Sequence, residues 1–138
     1  MKAHVRKMLQ IKEFLNKENK IAVIGVSNES EKWGYKVYKK LKSAGFHAYP
    51  VNPKHSSIDN NACYPDIKSL PERPNIIITV VKPEITEKIA KDCAKLHINR
   101  LWMQPGSESE KVIEFCRNNN IEVIYNTCFV AECVRYGD

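Results

Sequence analysis

A loop framed by two glycines carries the clearest chemical signal in the sequence. Gly25 and Gly34 enclose Ser27, Lys32 and Trp33, between an apolar run and a helical pattern. Backbone N–H groups at a helix start attract anions, because the helix dipole is positive there. The loop therefore predicts a phosphate site, although its glycine spacing departs from the GxGxxG dinucleotide pattern.

The residues at the end of the second apolar run narrow the choice of ligand. Asn52, Pro53 and Lys54 stand where an NAD site carries an acidic residue for the ribose hydroxyls. A neutral amide followed by a cation disfavours NAD and favours a ligand with an additional ribose phosphate. Coenzyme A (CoA) and NADP both meet that requirement, and His55 lies near enough to contact a phosphate.

Polar residues, glycine and proline also follow the later apolar runs. Lys82 follows the third, Gln104 and Gly106 follow the fourth, and Asn126 follows the fifth. In an open α/β sheet, ligands bind outside the carboxyl ends of the strands. Ordinary turn chemistry explains the glycine but is a less natural reason for the amides, so these positions are candidate ligand contacts.

No catalytic or metal-binding constellation is apparent. None of the four histidines stands with a serine or cysteine and a carboxylate in a recognisable order, so no catalytic residue is assigned. The five cysteines form no CxxC pair, which predicts reduced thiols and no zinc site. Cys93 and Cys116 fall on apolar helix stripes and are expected in the core, as is Trp102.

Two residues near the predicted site allow two interpretations each. Trp33 either covers the ligand or packs the loop onto the domain. Cys128 is more simply a buried thiol, and its alternative is a thiol that meets the CoA thiol and forms a mixed disulfide on oxidation.

These residues need a scaffold, and the hydrophobic pattern supplies one. Short apolar runs alternate with helical patterns, which predicts an α/β fold: a doubly wound parallel sheet with helices on both faces, in three layers. The segment 54–75 has loop composition, with a helical stretch near 66–70 and a very short sixth strand at 62–64. Ser107 to Glu110 matches a capping box for the helix that follows the turn at Gln104 to Gly106. Strands are expected at 21–26, 46–51, 76–81, 100–103 and 121–125, and helices at 3–18, at 34–44, after Pro83, after Ser107 and at 128–135.

Length and charge limit the function classes. A chain of 138 residues is the size of one domain, and no apolar run approaches the roughly 20 residues of a membrane span. No secretory signal is apparent, so a cytoplasmic protein without membrane contact is expected.

Residues 1–60 carry 12 Lys/Arg against 5 Asp/Glu (+7), and residues 61–138 carry 10 against 11 (−1). The basic half suggests a polyanionic partner, but a solvated helix face is favoured over nucleic-acid binding for Lys2, Arg6, Lys7, Lys12 and Lys17.

Four motifs in order give a family resemblance. IAVIGVSNESEKWGYKV (21–37), YPVNPK (49–54), LWMQPG (101–106) and NTC (126–128) with the later Glu132 run through most of the chain. The set resembles small bacterial CoA-binding proteins, which are related to the CoA-binding domain of the succinyl-CoA synthetase alpha subunit. The resemblance implies a Rossmann-like fold whose glycine loop cradles the pyrophosphate. With Lys82 added from its place after a strand, the candidate contacts are Gly25, Val26, Ser27, Lys32, Trp33, Gly34, Asn52, Pro53, Lys54, Lys82, Gln104 and Gly106.

The predicted organisation is an amphipathic helix in residues 1–19, packed on a single CoA-binding domain in residues 20–138. The synthetase carries its phosphohistidine on a separate domain, for which this chain has no room, so ligase activity is not expected. The predicted function is a non-catalytic or accessory CoA- or acyl-CoA-binding protein. An NADP-type nucleotide binder or oxidoreductase is the alternative, and a homodimer or another protein partner stays open.

Overall fold

The computed structural model, described here for residues 2–136, contains a five-stranded parallel sheet. Its strands are β1 Lys20–Ile24, β2 His47–Val51, β5 Ile76–Thr79, β6 Arg100–Met103 and β7 Glu122–Ile124. Their order in the sheet is β2-β1-β5-β6-β7. The chain moves outward from β1 to β2 and then crosses to the other side of β1. The switch point of the sheet therefore lies between β1 and β5, where open α/β sheets bind ligands. A separate hairpin consists of β3 Ser57–Ile58 and β4 Asn61–Ala62.

Helices cover both faces of the sheet, so the expected three-layer α/β fold is confirmed. The helices are α1 Ala3–Phe14, α2 Trp33–Ser43, α3 Pro83–Leu96, α4 Glu110–Asn118 and α5 Phe129–Tyr136. Successive strand residues point to opposite faces. Ile76 and Ile78 of β5 pack with α1, α2 and α5, whereas Ile77 packs with α3 and α4.

The apolar cores on the two faces of the sheet contain side chains that the sequence predicts to be buried. Trp102 is fully buried and makes edge contacts with Phe14 of α1 and Phe129 of α5. On the other face, Cys93 of α3 and Cys116 of α4 are fully buried, and burial raises the pKa of these thiols to about 12 and about 11. The core positions expected for these three residues are therefore confirmed.

The two elements predicted between β2 and β5 are both shorter in the structure. A 3₁₀ helix spans Ile67–Ser69. The predicted sixth strand is a single parallel bridge from Tyr64 to Val51, because Asn61 and Ala62 pair with the β3 strand instead.

The predicted first helix, 3–18, is too long. The helix ends at Phe14, and the side-chain amide of Asn19 folds back to donate hydrogen bonds to the carbonyls of Glu13 and Phe14. The apolar stripe continues through the buried Leu15, so periodicity alone does not mark this end.

Candidate functional site

Gly25 turns the chain at the switch point. Its φ of 99° lies in the left-handed region, which favours glycine. A Cβ at this position would lie 2.5 Å from the carbonyl oxygen of Val80. The turn after β1 therefore packs directly on the turn after β5, and only glycine fits between them.

Gly34 brings the first turn of α2 against the same place. A Cβ on this buried residue would overlap the carbonyl oxygen of Gly25. The backbone at the start of α2 therefore rests on the backbone at the end of β1. This close approach is the packing that positions a helix N-terminus beside the switch point.

The N-terminus of α2 has no side-chain cap. Lys32 occupies the N-cap position, where its side chain accepts no hydrogen bond from the helix. The first N–H groups of a helix have no intrahelical acceptor. At α2 these donors remain available to an external anion, and the helix dipole favours one.

The Lys32 ammonium, beside these donors, forms an ion pair. The ammonium of Lys32 donates to the carboxylate of Glu29 at 2.7 Å, and both side chains are exposed. This hydrogen bond raises the pKa of Lys32 and lowers that of Glu29. Ser27 accepts a hydrogen bond from the Glu29 N–H at 3.0 Å and so shapes the loop. An anion at the loop would compete with Glu29 for the Lys32 ammonium.

Side-chain amides fasten this loop to its neighbours. Asn52 donates to the carbonyl of the buried Val26 at 2.9 Å and accepts from the Lys54 N–H at 2.9 Å. Asn28, which is not among the predicted contacts, donates to the carbonyl of Ser57 in β3 at 3.0 Å. The structure thus brings the end of β2 and the β1–α2 loop together, and the Asn52 side chain joins them.

Several predicted contacts present exposed side chains at the same edge of the sheet. Pro53 and Lys54 follow β2. Lys82 occupies the N-cap position of α3, where its side chain makes no capping hydrogen bond. The Trp33 side chain is 52% exposed, with the Lys36 ammonium 4.8 Å from its ring centroid. Trp33 is therefore not wedged into the domain.

Gln104 is placed differently from the other predicted contacts. Its side chain is buried, with Oε1 accepting from the Phe129 N–H at 2.6 Å and Nε2 donating to the Cys128 sulfur at 3.4 Å. The amide joins the end of β6 to the start of α5. Its described partners belong to that loop, and Cys128 is itself half-buried.

The predicted capping box after β6 is wrong in its N-cap. Ser109, not Ser107, caps α4 and accepts from the Val112 N–H at 3.2 Å. Ser107 is buried and accepts from the Val81 N–H at 3.0 Å, which ties this loop to the turn after β5. Gly106 is exposed with φ 95°, and a Cβ there would meet nothing within 4 Å.

Neither a metal centre nor a membrane-spanning helix is found in the part of the chain that the structure describes. Within residues 2–136, no group of three or more His, Cys, Asp or Glu side chains is arranged to hold a metal ion. None of the helices in that range is long and apolar enough to cross a membrane.

A family model described as a CoA binding domain matches residues 19–133. The alpha subunit of an ADP-forming acetate–CoA ligase from Pyrococcus furiosus is 34% identical over 119 residues, which are 78% of this chain and 26% of the subunit. An ADP-forming acetate–CoA ligase from Methanocaldococcus jannaschii is 25% identical over 84% of this chain and 18% of its own length. The chain spans about a quarter or less of these two ligases.

A solved structure of about the same size has the same fold. A hypothetical protein from Pyrococcus horikoshii OT3 superposes with a TM-score of 0.88 at 26% identity, over 94% of this chain and 91% of that one. The family model covers the sheet and the glycine loop, as the sequence motifs suggested. Neither the family model nor the ligase relatives support the NADP alternative. The chain is therefore a member of the CoA-binding domain family.

Proposed function

We propose that this chain binds CoA or an acyl-CoA at the carboxyl edge of its sheet. The pyrophosphate lies on the 25–34 loop and accepts hydrogen bonds from the first turn of α2. The observation that carries the proposal is the backbone contact between Gly25 and Gly34, which sets an uncapped helix N-terminus at the switch point. The family match supports CoA as the anion.

The exposed lysines supply the remaining phosphate contacts in this proposal. Lys32 exchanges its bond with Glu29 for a pyrophosphate oxygen. Lys54 stands after β2, where the ribose phosphate of CoA would lie beside Asn52. The pantetheine arm then crosses the ends of β5 and β6, past Lys82 and Gly106. Gln104 acts through the β7–α5 loop that it holds.

The chain acts as an accessory binding protein without catalysis of its own. The ligases that it resembles are several times longer, and what their additional length does is a property of those proteins. The site described above offers donors, cations and a backbone cradle. These groups are suited to binding and orienting CoA.

Titration calorimetry tests the proposal with CoA, acetyl-CoA, 3′-dephospho-CoA and NADPH. CoA and acetyl-CoA are expected to bind and to raise the melting temperature in proportion to ligand over Kd. Dephospho-CoA should bind more weakly in the parent protein, and Lys54→Ala should remove that difference. Binding of NADPH in the absence of CoA binding would contradict the proposal.

Cys128 is proposed to lie within reach of the CoA sulfur. Its thiolate would attack one sulfur of CoA disulfide, forming a mixed disulfide and releasing CoA as a thiolate. Mass spectrometry after treatment with CoA disulfide should find the adduct on Cys128 and not on the buried Cys93 or Cys116. A Cys128→Ser variant that gains the same adduct would sink this idea.

A further inference from the structure

The open edge of the sheet at β7 forms a groove with α1. β7 is the last strand, and within residues 2–136 no other strand pairs with its outer side. Gln10 of α1 donates from Nε2 to the carbonyl of Val123 at 3.2 Å. The groove between the two elements has a volume of about 670 Å³. It is separate from the glycine loop, and α1 lies outside the residues that the family model matches.

The helix and the strand run in opposite directions along this edge. Glu13, near the end of α1, accepts from Arg100, which pairs in the sheet with Glu122 at the start of β7. Arg6, two turns earlier in α1, lines the groove together with Tyr125 beyond the other end of β7. The middle of α1 therefore faces the middle of β7, where the Gln10 bond lies.

The two ends of the groove carry opposite charge. At one end Glu13 and Glu122 share the guanidinium of Arg100, at 3.2 and 3.7 Å, which leaves one negative charge in excess. At the other end Arg6 and Lys7 are exposed, and no ion pair joins either to an acid within residues 2–136. This end carries two positive charges.

An apolar side chain lies between the charged ends. Leu9 lines the groove and is 42% exposed, one of few large apolar side chains exposed in residues 2–136. It lies midway between Arg6 and Glu13 on α1, beside the position of Gln10. An exposed apolar centre flanked by opposite charges is the pattern of a contact surface with a buried middle and a polar rim.

We propose that this edge, formed by α1 and β7, is a twofold interface between two copies of the chain. A twofold axis through the middle of α1 sets Arg6 and Lys7 of each copy against Glu13 and Glu122 of the other. The same axis brings the two Leu9 side chains together. Because Gln10 bonds to Val123 in the middle of β7, one axis serves the helix and the strand alike. Such self-complementarity is the requirement for an isologous dimer.

The charge pattern of the groove favours a second copy of the chain over a partner whose charges all have the same sign. An acidic segment would match Arg6 and Lys7 but would meet Glu13 and Glu122 at the opposite end, where like charges repel. A copy turned by half a revolution matches both ends at once. It also covers the outer backbone groups of β7, which an edge strand otherwise presents to solvent.

Sedimentation velocity of the full chain over a range of concentrations tests the interface. The parent protein is expected to be a dimer. The double variant Arg6→Glu/Lys7→Glu and the single variant Glu13→Lys should each be monomeric where the parent is dimeric, because each places like charges at both ends. An equimolar mixture of the two variants should dimerise again, since opposite charges then meet at both ends.

Two apolar substitutions provide a matched pair. Leu9→Asp should weaken the dimer at least tenfold, whereas Val134→Asp, at the 70% exposed Val134 on α5, should leave it unchanged. Circular dichroism checks that each variant is folded. A monomeric parent at all concentrations, or a dimer that survives both charge reversal and Leu9→Asp, would overturn the proposal. Sedimentation is measured without CoA, so the result stands apart from that of the CoA titration.

Discussion

Two of the helices that begin at the carboxyl edge of this sheet, α2 and α4, differ in their first turns. α4 is capped by its own chain, since Ser109 accepts from the Val112 N–H. α2 has Lys32 at the same position and no side-chain cap. A helix that satisfies its own donors needs no ligand, whereas one that leaves them open beside a glycine contact is suited to an anion. α3 also lacks a side-chain cap at Lys82, but the glycine contact lies at the start of α2. The two features together support α2 as the proposed phosphate-binding end.

The glycine contact accounts for the position of the open helix end, and its loss should have the largest effect. In Gly34→Ala the new Cβ overlaps the Gly25 carbonyl, so α2 must move away from the switch point. CoA affinity measured by calorimetry should fall at least tenfold. Gly45→Ala is the matched control: it strains a glycine with φ 87°, but its Cβ meets nothing within 4 Å. A folded Gly34→Ala protein with parental affinity would show that this packing does not form the site.

A crossed pair of substitutions separates the two helix ends. Lys32→Ala should lower CoA affinity about tenfold, because charge-assisted bonds to phosphate are the strong ones, and should change the melting temperature little. Ser109→Ala should lower the free energy of unfolding by about 1 kcal/mol, the usual cost of losing a cap, and leave CoA affinity unchanged. Calorimetry and urea unfolding measure both quantities. If Ser109→Ala weakens CoA binding as much as Lys32→Ala does, the distinction between the two ends fails.

The ion pair on the glycine loop should oppose ligand binding. Glu29 holds Lys32 at 2.7 Å and adds a negative charge beside the proposed phosphate position. Glu29→Gln should therefore raise CoA affinity by about threefold, as befits one exposed charge. Glu114→Gln removes an exposed carboxylate paired with Arg117 on α4 and should leave CoA affinity unchanged. An affinity that falls in Glu29→Gln would mean that the carboxylate assists binding.

The smallest expected effect is on stability and concerns the charged side chain that caps the 3₁₀ helix. Asp66 caps the 3₁₀ helix, and hydrogen bonds from the Ser69 hydroxyl and N–H lower its pKa. A carboxyl with a lowered folded pKa stabilises the protein above its unfolded pKa, and that contribution is lost as the pH falls through the folded value. Asp66→Asn should flatten the acid side of the stability curve below about pH 4. An unchanged curve would show that this cap contributes nothing.

Local patterns predict the layers of this protein better than its loop contacts. The apolar runs at Ile21 and Ile76 form the central strands because both faces are buried, and an uninterrupted run reports that directly. The strand ends differ from the predicted ones because contacts between residues distant in sequence end the hydrogen-bond ladder between the strands. Gly25 leaves β1 for the turn that packs on Val80, so the predicted strand 21–26 is two residues too long at that end.

The candidate site shows the same limit. Gly25 and Gly34 are recognisable because only one residue type fits a backbone contact, so the sequence itself records it. Gln104 is visible as a polar residue after a strand, but its amide bonds to Phe129, which is distant in sequence. The Ser107 hydroxyl likewise accepts from Val81 in place of capping α4. Such hydrogen bonds arise from the tertiary fold and leave no local pattern.

Backbone amide chemical shifts during a CoA titration test the central claim most directly. In ¹⁵N–¹H spectra of the full chain, the largest changes are expected at the amides of Trp33, Gly34 and Tyr35, in the first turn of α2. The amides of residues 110–112 at the capped start of α4 should change little. Changes centred on α4, or none at α2 at saturating CoA, would contradict the assignment of the phosphate site.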